Sequence, residues 1–447
     1  MTTRRTKRAP GVLLVFHRPT RGQFTDAGNV LENITAFGQH SRFRVWEHNT
    51  DLGTPESIDR LEFDAIVVHY SVFMPRPVEG YLLDQRLLAH IERSRAYKVA
   101  TFQDEHHYCR MRFDFIDRYG VDCVFTMLEQ PDADRVYAEN TAATRTVSNL
   151  PAYVGDDVLA SARQYRRADD DRDLDLGYRG RPMPAYMGRG AQEKREIGER
   201  FAELAAGSGL TIDIGVREED RLYGADWHQF VARSRATLGV ESGASCFDLR
   251  DEVREEYERL SRDGHEVTLE ELERGALGRW DWKIPYQTVS PRNFEAAAYR
   301  VLQVLYEGRY GGVLEPGRHY LALKKDFSNL DEVIAGITDP STRQSLVDNA
   351  YEDLIASGEY GYERLISAFD RVLADAGLSP AGRARGLTVG SALTPPIGER
   401  IADRRRSAIP NFAARFPRTW SATLTLGRPV TVPTKRAARA IRRRLRG

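Results

Sequence analysis

The sequence predicts an α/β protein with two domains, each built around a doubly wound parallel sheet. Short, wholly apolar runs such as residues 11–16 alternate with segments of helical periodicity, which is typical of strands buried on both faces. A charge-rich stretch interrupts this alternation at residues 161–173, and it resumes at Leu174. Since 447 residues are enough for two or three domains, we interpret the stretch as a linker.

The first domain, residues 1–160, is predicted to contain six strands, over residues 11–16, 43–46, 64–70, 98–102, 121–126 and 145–148. Its first helix is expected to begin at Thr25 or Asp26, since either side chain can cap it. Ligands of such sheets bind at the carboxyl ends of the strands. The loop after the fourth strand is therefore a candidate site. Its ionisable side chains include Asp104, Glu105 and His106.

The second domain, residues 174–377, contains two loops rich in small residues. A turn at residues 188–190 opens a helix, and its backbone N–H groups, with Arg189 and Lys194, are suited to a diphosphate, although such turns are also common on surfaces. A later strand, residues 236–240, runs into a second loop. Candidate contacts to a sugar phosphate there are Glu241, Gly243 and Ser245. Alternatively, Glu241 pairs with a neighbour such as Arg292.

Two other segments depart from the strand–helix alternation. Residues 249–279 form charged helices, which we interpret as a helical insertion, either a lid or a surface elaboration. Residues 378–447 form a basic tail that is expected to be partly disordered. Attraction to an anionic leaflet is worth about 1 kcal/mol per basic residue. The tail therefore suits a membrane surface, while RNA, an acidic partner or plain solvation remain alternatives.

Composition narrows the setting in which the protein works. Lys and Arg together number 65, as do Asp and Glu, so the net charge is zero and the chain as a whole is not a polyanion binder; nucleic acid is not an expected partner. Three cysteines favour a reducing compartment over a disulfide framework. The apolar run after the basic N-terminus is too short for a signal peptide, and no run is long enough to span a membrane. The expected location is the cytoplasm.

The helix that begins at Ser290 is the most informative segment. It reads Ser-Pro-Arg-Asn-Phe-Glu-Ala-Ala-Ala-Tyr and is expected to continue to about Gly308. Glu295 is expected in its first turn, near the unpaired N–H groups and the positive end of the helix dipole. A carboxylate there either caps the helix or accepts two hydroxyl groups of a ribose or sugar.

This segment resembles the donor-nucleotide helix of glycosyltransferases with the GT-B fold, and is most similar to their group-1-like, spore-maturation-type branch, in which the phrase S-x-R-x-F-E-A-x-A recurs. A second phrase of that family, H-Y-x-x-L-x-x-D-x-S-N, is matched at residues 319–329. The resemblance implies two Rossmann-like domains facing a cleft. It also implies that Glu295 binds the donor ribose. The family's other glutamate is replaced here by Gln287.

The resemblance implies a glycosyltransferase that uses a nucleotide-diphosphate sugar and needs no metal or other cofactor. Arg189, Lys194 and Arg292 would stabilise the departing diphosphate. Asp104, Glu105 or His106, or alternatively Asp26, would receive the acceptor proton if the enzyme is inverting. The expected acceptor is a cell-envelope or surface glycan, free or lipid-linked.

Two other functions stay open at this stage. Because Gln287 replaces the family's other glutamate, a non-catalytic nucleotide-sugar-binding scaffold of the same fold is one alternative. A sugar-nucleotide epimerase is the third option. A metal site is not expected: the D-x-D phrase at residues 171–173 lies in the linker, and the ligand-type residues His106, His107 and Cys109 have no partner cluster.

Overall fold

A computed structural model describes residues 7–8, 11–19, 28–73, 82–380 and 387–388. The strands are β1 (Lys7–Arg8), β2 (Val12–Phe16), β3 (Val45–Asn49), β4 (Leu61–Glu62), β5 (Ala65–Val68), β6 (Tyr97–Thr101), β7 (Cys123–Thr126), β8 (Arg145–Ser148), β9 (Leu174–Arg179), β10 (Ile212–Gly215), β11 (Ser234–Gly239), β12 (Ser242–Cys246), β13 (Asp281–Thr288), β14 (Leu302–Tyr306), β15 (Leu321–Leu323) and β16 (Leu387–Thr388). The α-helices are α1 (Gly28–His40), α2 (Gln85–Arg93), α3 (Cys109–Tyr119), α4 (Asp132–Asn140), α5 (Asp156–Tyr165), α6 (Arg189–Leu204), α7 (Gly224–Arg233), α8 (Glu252–Leu260), α9 (Leu269–Glu273), α10 (Leu277–Trp280), α11 (Pro291–Tyr299), α12 (Leu330–Thr338), α13 (Pro340–Tyr351) and α14 (Tyr362–Asp375).

The first sheet is parallel and, over the described residues, has the order β16-β3-β2-β5-β6-β7-β8. Its inner strand β2 is buried throughout, because alternate side chains enter two different cores. Leu13 and Val15 pack into the core on one face, and Val12, Leu14 and Phe16 into the core on the other. The chain leaves β2 toward β3 and returns to the other side at β5, which is the doubly wound topology.

The second sheet is also parallel and repeats this winding, in the order β10-β9-β11-β14-β15. Here the chain leaves β9 toward β10 and returns to the other side at β11. An antiparallel pair, β12 and β13, is separate from this sheet. The predicted fold class, two Rossmann-like domains that face a cleft, is confirmed by the two sheets and by a cavity lined from both domains.

The helix that begins at Ser290 is shorter than the sequence predicts. It ends at Tyr299 because Arg300 adopts a left-handed conformation, with φ of 54°. The next five residues, β14, form a buried strand between β11 and β15. An apolar run of five residues suits a buried helix segment as well as a strand, and its place in the sheet decides for the strand.

The chain returns to the first domain at its described C-terminal end. Helix α14 packs on the first sheet, where Phe369 lies 5.1 Å from Phe37 between ring centroids. Its Asp370 accepts hydrogen bonds from the Ser41 hydroxyl (2.7 Å) and the Arg42 backbone N–H (2.8 Å). The predicted bounds of the second domain, residues 174–377, include this helix, but its apolar face fills the first domain's core.

The charge-rich stretch between the domains contains a buried side chain. Arg172 is only 4% exposed and donates hydrogen bonds to the carbonyl groups of Ser234 (2.7 Å) and Tyr299 (2.9 Å). Asp173, in contrast, lies at the surface and pairs with Arg233 at 2.9 Å. This stretch thus fixes the end of α11 against the start of β11.

No helix in the described part of the chain is long and apolar enough to cross a membrane. Helices α8 to α10 lie within the segment predicted as an insertion, between β12 and β13. The basic tail beyond residue 388 lies outside the described residues.

Candidate functional site

A cavity of about 790 Å³ opens where the winding of the second sheet reverses, at the carboxyl ends of β9 and β11. This is the place where open α/β sheets bind their ligands. Residues 179–181 follow β9 into the cavity, and Glu295 and Arg292 enter it from α11. The first domain contributes Asn29 and Glu32 of α1 to the opposite wall.

Glu295 lies in the second turn of α11, one residue beyond the position predicted for it. The helix is capped without it: the Ser290 backbone N–H donates to Asn293 Oδ1 (2.7 Å), and the Ser290 hydroxyl accepts from the Arg292 N–H (3.3 Å). The capping role weighed for Glu295 is therefore filled by Asn293. The Glu295 carboxylate accepts a hydrogen bond from Trp227 Nε1 (3.2 Å) and otherwise faces the cavity.

Burial raises the pKa of Glu295, while the Arg292 guanidinium and the Trp227 hydrogen bond oppose the rise. Arg292 lies over the Trp227 ring, with 4.8 Å from its guanidinium carbon to the ring centroid, and donates to the Arg179 carbonyl. Trp227 therefore holds both the carboxylate and the guanidinium that line this end of the cavity.

Three cations line the cavity without an ion pair to a carboxylate among the described residues: Arg292, Lys194 and Arg181. Lys194, on the second turn of α6, and Arg181, just after β9, form no ion pair or side-chain hydrogen bond within the described ranges. Burial, with Arg181 nearby, lowers the pKa of Lys194 to about 8, although Asp104 opposes this. A desolvated lysine without a partner, with the exposed Arg181 beside it, is suited to an anionic ligand such as a diphosphate.

Asp104 lies three residues past the end of β6 in a left-handed conformation, with φ of 53°. This conformation is strained for a residue with a side chain, and such strain is concentrated at functional sites. Its carboxylate accepts no hydrogen bond from the described residues. Burial raises its pKa, and the charges of Arg112, Lys194 and Arg181 oppose the rise. Asp104 thus lies close enough to Lys194 and Arg181 for their charges to affect the pKa of its carboxyl group.

The other two candidates of this loop lie inside the protein. Glu105 is buried and accepts hydrogen bonds from the Thr126 hydroxyl (2.6 Å), the Met127 N–H (2.8 Å) and the Tyr137 hydroxyl, so it holds the loop to β7 and α4. His106 is buried against Tyr286, 5.3 Å between ring centroids, and burial lowers its pKa to about 3. None of the three candidates of this loop, Asp104, Glu105 and His106, is among the residues that line the cavity.

In the glycine turn at residues 188–190, a backbone N–H predicted to bind a diphosphate is hydrogen-bonded to another side chain of the protein. The Gly190 N–H donates to the Ser245 hydroxyl (2.8 Å), which in turn donates to Asp281 (2.5 Å). Arg189 points outward and pairs with Glu273 at 2.6 Å. Of the diphosphate contacts predicted on this helix, only Lys194 lines the cavity.

The remaining predicted contacts support neighbouring backbone. Glu241 accepts hydrogen bonds from the N–H groups of Arg309 (3.0 Å) and Tyr310 (2.8 Å), and does not pair with Arg292. Gly243 is paired with Gln287 between β12 and β13, and a Cβ there would lie 2.0 Å from the Tyr286 carbonyl oxygen. None of Glu241, Gly243 and Gln287 lines the cavity, and Asp26 lies outside the described residues.

Sequence reasoning missed Arg181, Trp227 and Tyr223, all of which line the cavity. Tyr223 is 61% exposed at its edge, with the Arg221 guanidinium carbon 5.0 Å from its ring centroid. Arg181 lies two residues after β9, so the rule that favours strand ends is a signal that could have found it. Trp227 carries no such signal, because its role depends on the contact between α7 and α11.

No protein-family model matches the sequence, and no curated protein matches it. Solved structures of similar fold include an alpha-glucosyltransferase in complex with UDP, at 8% identity and a TM-score of 0.46, covering 81% of this chain and 100% of that one. The DNA-modifying enzyme beta-glucosyltransferase matches at 10% identity and a TM-score of 0.44, covering 81% of this chain and 99% of that one.

The sucrose-phosphate synthase of Thermosynechococcus elongatus matches at 10% identity and a TM-score of 0.42, covering 82% of this chain and 99% of that one. At identities of 10% or less and TM-scores of 0.46 or less, none of the three carries an argument about reaction or substrate. The predicted likeness to GT-B glycosyltransferases is thus one of fold, and nothing in it singles out the spore-maturation-type branch.

Proposed function

We propose that this protein is a glycosyltransferase that moves a sugar from a nucleotide-diphosphate donor to a hydroxyl acceptor without a metal ion. One observation carries the proposal. A single cavity at the reversal of the second sheet combines the Glu295 carboxylate, suited to ribose hydroxyls, with the unpaired cations Lys194 and Arg181, suited to a diphosphate.

The residues divide the reaction between them. The bond from the anomeric carbon to the diphosphate oxygen breaks, and Lys194, Arg181 and Arg292 stabilise the charge left on that oxygen. The acceptor oxygen bonds to the anomeric carbon. Its proton passes to Asp104 in an inverting reaction, or to the departing diphosphate in a retaining one. In the described part of the chain no cluster of three or more His, Cys, Asp or Glu side chains is arranged to hold a metal ion, so the cations have that task in the proposal.

We propose an envelope or surface glycan precursor, free or lipid-linked, as the acceptor, met at the cytoplasmic face of a membrane. Three buried thiols, Cys109, Cys123 and Cys246, support a reducing compartment. The basic tail that would reach the membrane lies outside the described residues. An acceptor screen with free glycans, lipid-linked glycans and duplex DNA tests this proposal.

The donor proposal is tested by a thermal-shift screen with UDP, GDP, dTDP, ADP, CMP and their sugars, followed by turnover of the donor that binds. Glu295→Ala is expected to weaken nucleotide binding by about 1–3 kcal/mol, the cost of losing a charged hydrogen-bond partner. Glu199→Ala is the matched control, since Glu199 lies on α6 outside the cavity and pairs only with Arg195 among the described residues. Equal affinity in both variants would refute the ribose role. Binding without any hydrolysis or transfer would favour a scaffold.

A further inference from the structure

The loop that carries Asp104 is held in a strained shape from two sides. Asp104 and Tyr108 both adopt left-handed conformations, with φ of 53° and 54°. Residues in this region persist only where their surroundings hold them. From the first domain, Glu105 anchors the middle of the loop through its three hydrogen bonds to β7 and α4.

The second set of contacts that fixes the loop comes from the second domain. Helix α3 begins directly after the loop, and Tyr108, at its N-cap position, makes no side-chain hydrogen bond that caps the helix. Asp251, just before α8, supplies the missing cap: its two carboxylate oxygens accept from the N–H groups of Cys109 (2.7 Å) and Arg110 (3.1 Å). A carboxylate at a helix N-terminus also interacts favourably with the helix dipole.

Other contacts place this cap and extend it along the loop. The Asp248 N–H donates to the His106 carbonyl (2.9 Å), and the Tyr108 hydroxyl donates to Glu258 Oε1 (3.1 Å). Asp248 accepts the Val253 N–H (2.7 Å), which fixes the turn that precedes α8. Asp251 is only 6% exposed and is itself left-handed, with φ of 59°. Residues 248–258 thus form a built support rather than a surface elaboration.

We infer that Asp251 is a positioning residue for Asp104, and that residues 248–258 hold the catalytic loop of the first domain in its working shape. This rests on the proposed function. None of residues 248–258 lines the cavity, so loss of this support is expected to change the position of Asp104 and not the donor contacts. The reactive carboxylate is therefore correctly placed only while the two domains are joined at this contact.

Asp251→Asn tests the inference, with Asp263→Asn as the matched control, because Asp263 is an exposed carboxylate just beyond residues 248–258. We expect Asp251→Asn to lower kcat at least tenfold, to leave the Kd of the nucleotide within twofold, and to move the acidic limb of the kcat pH profile. Amide hydrogen exchange at Cys109 and Arg110 is expected to accelerate at least tenfold. Asp263→Asn is expected to change none of these.

A milder variant, Tyr108→Phe, removes only the contact to Glu258 and keeps the test usable if Asp251→Asn does not fold. It is expected to lower kcat two- to fivefold with unchanged nucleotide affinity. Unchanged kcat in the variants, or kcat and affinity lost together, would overturn the inference. Hydrogen exchange separates this result from the proposed function: if no nucleotide binds the wild type, the proposed function fails, while protection of Cys109 and Arg110 still reports on the Asp251 cap.

Discussion

Lys194 is the residue whose charge the cavity controls most directly. Burial lowers its pKa from an ordinary value of 10.5 to about 8, so in the free protein it loses its proton as the pH rises through 8. A bound diphosphate favours the protonated form of Lys194, so above pH 8 the lysine has to take up a proton when the ligand binds. We therefore expect nucleotide affinity to be constant below about pH 7.5 and to fall by up to about tenfold per pH unit above 8. Calorimetric titration between pH 6.5 and 9.5 measures this.

Lys194→Arg provides the comparison, because a guanidinium stays protonated across the whole range. This variant should bind with an affinity that is flat above pH 8. A wild-type curve that is equally flat would mean that Lys194 does not contact the ligand's phosphates. The same low pKa makes the free protein more stable as the pH rises from 8 toward 10.5, since the unfolded chain holds the proton longer there.

Trp227 makes two contacts with residues of the cavity. It donates a hydrogen bond to Glu295, and the Arg292 guanidinium lies over its ring. Trp227→Phe keeps an aromatic face and removes the N–H donor. Because Glu295 then loses its hydrogen bond while Arg292 keeps a ring to lie on, we expect nucleotide binding to weaken by about 1 kcal/mol. Trp227→Ala should cost more. Equal losses in the two variants would show that the stacking contributes nothing.

At the scale of elements, α11 shows how local chemistry sets up the cavity. Ser290 caps the helix that carries Arg292 and Glu295, and losing such a cap costs about 1 kcal/mol. Ser290→Ala should lower the free energy of unfolding by that amount and accelerate hydrogen exchange in the first turn of α11. Unfolding in urea measures the first effect. Ser341→Ala, on an exposed turn of α13 whose cap is Asp339, is the control and should change stability by less than about 0.5 kcal/mol.

The same element marks where sequence reasoning succeeds and where it stops. Apolar runs of five residues predict buried strands, and strand ends predict the loop of Asp104, because both depend on local pattern. The predicted helix that begins at Ser290 runs over β14, since an apolar run of that length fits either structure until its neighbours β11 and β15 are known. Local pattern also indicates Glu105, Glu241 and Arg189 as site residues, although each has a structural partner that lies far away in sequence.

At the scale of the whole molecule, the order of the elements along the chain does not follow the division into domains. Helix α14 follows the second domain in sequence but fills the core of the first, where Phe369 contacts Phe37. No local pattern shows this, because the helix has the same amphipathic character whichever sheet it covers. The first domain is therefore complete only after the second has been made, and the two are joined by α14 as well as by the Asp251 cap.

This arrangement predicts which sheet loses stability when α14 is damaged. Phe369→Ala removes a buried ring, at a cost of about 3–5 kcal/mol, and we expect faster hydrogen exchange in β2 and β5 of the first sheet before any change in β9. Phe201→Ala, an equally buried ring in the second domain's core, should do the reverse, with β9 affected first. If Phe369→Ala instead loosened β9 first, α14 would stabilise the second domain, and the return of the chain to the first sheet would not be what holds that sheet together.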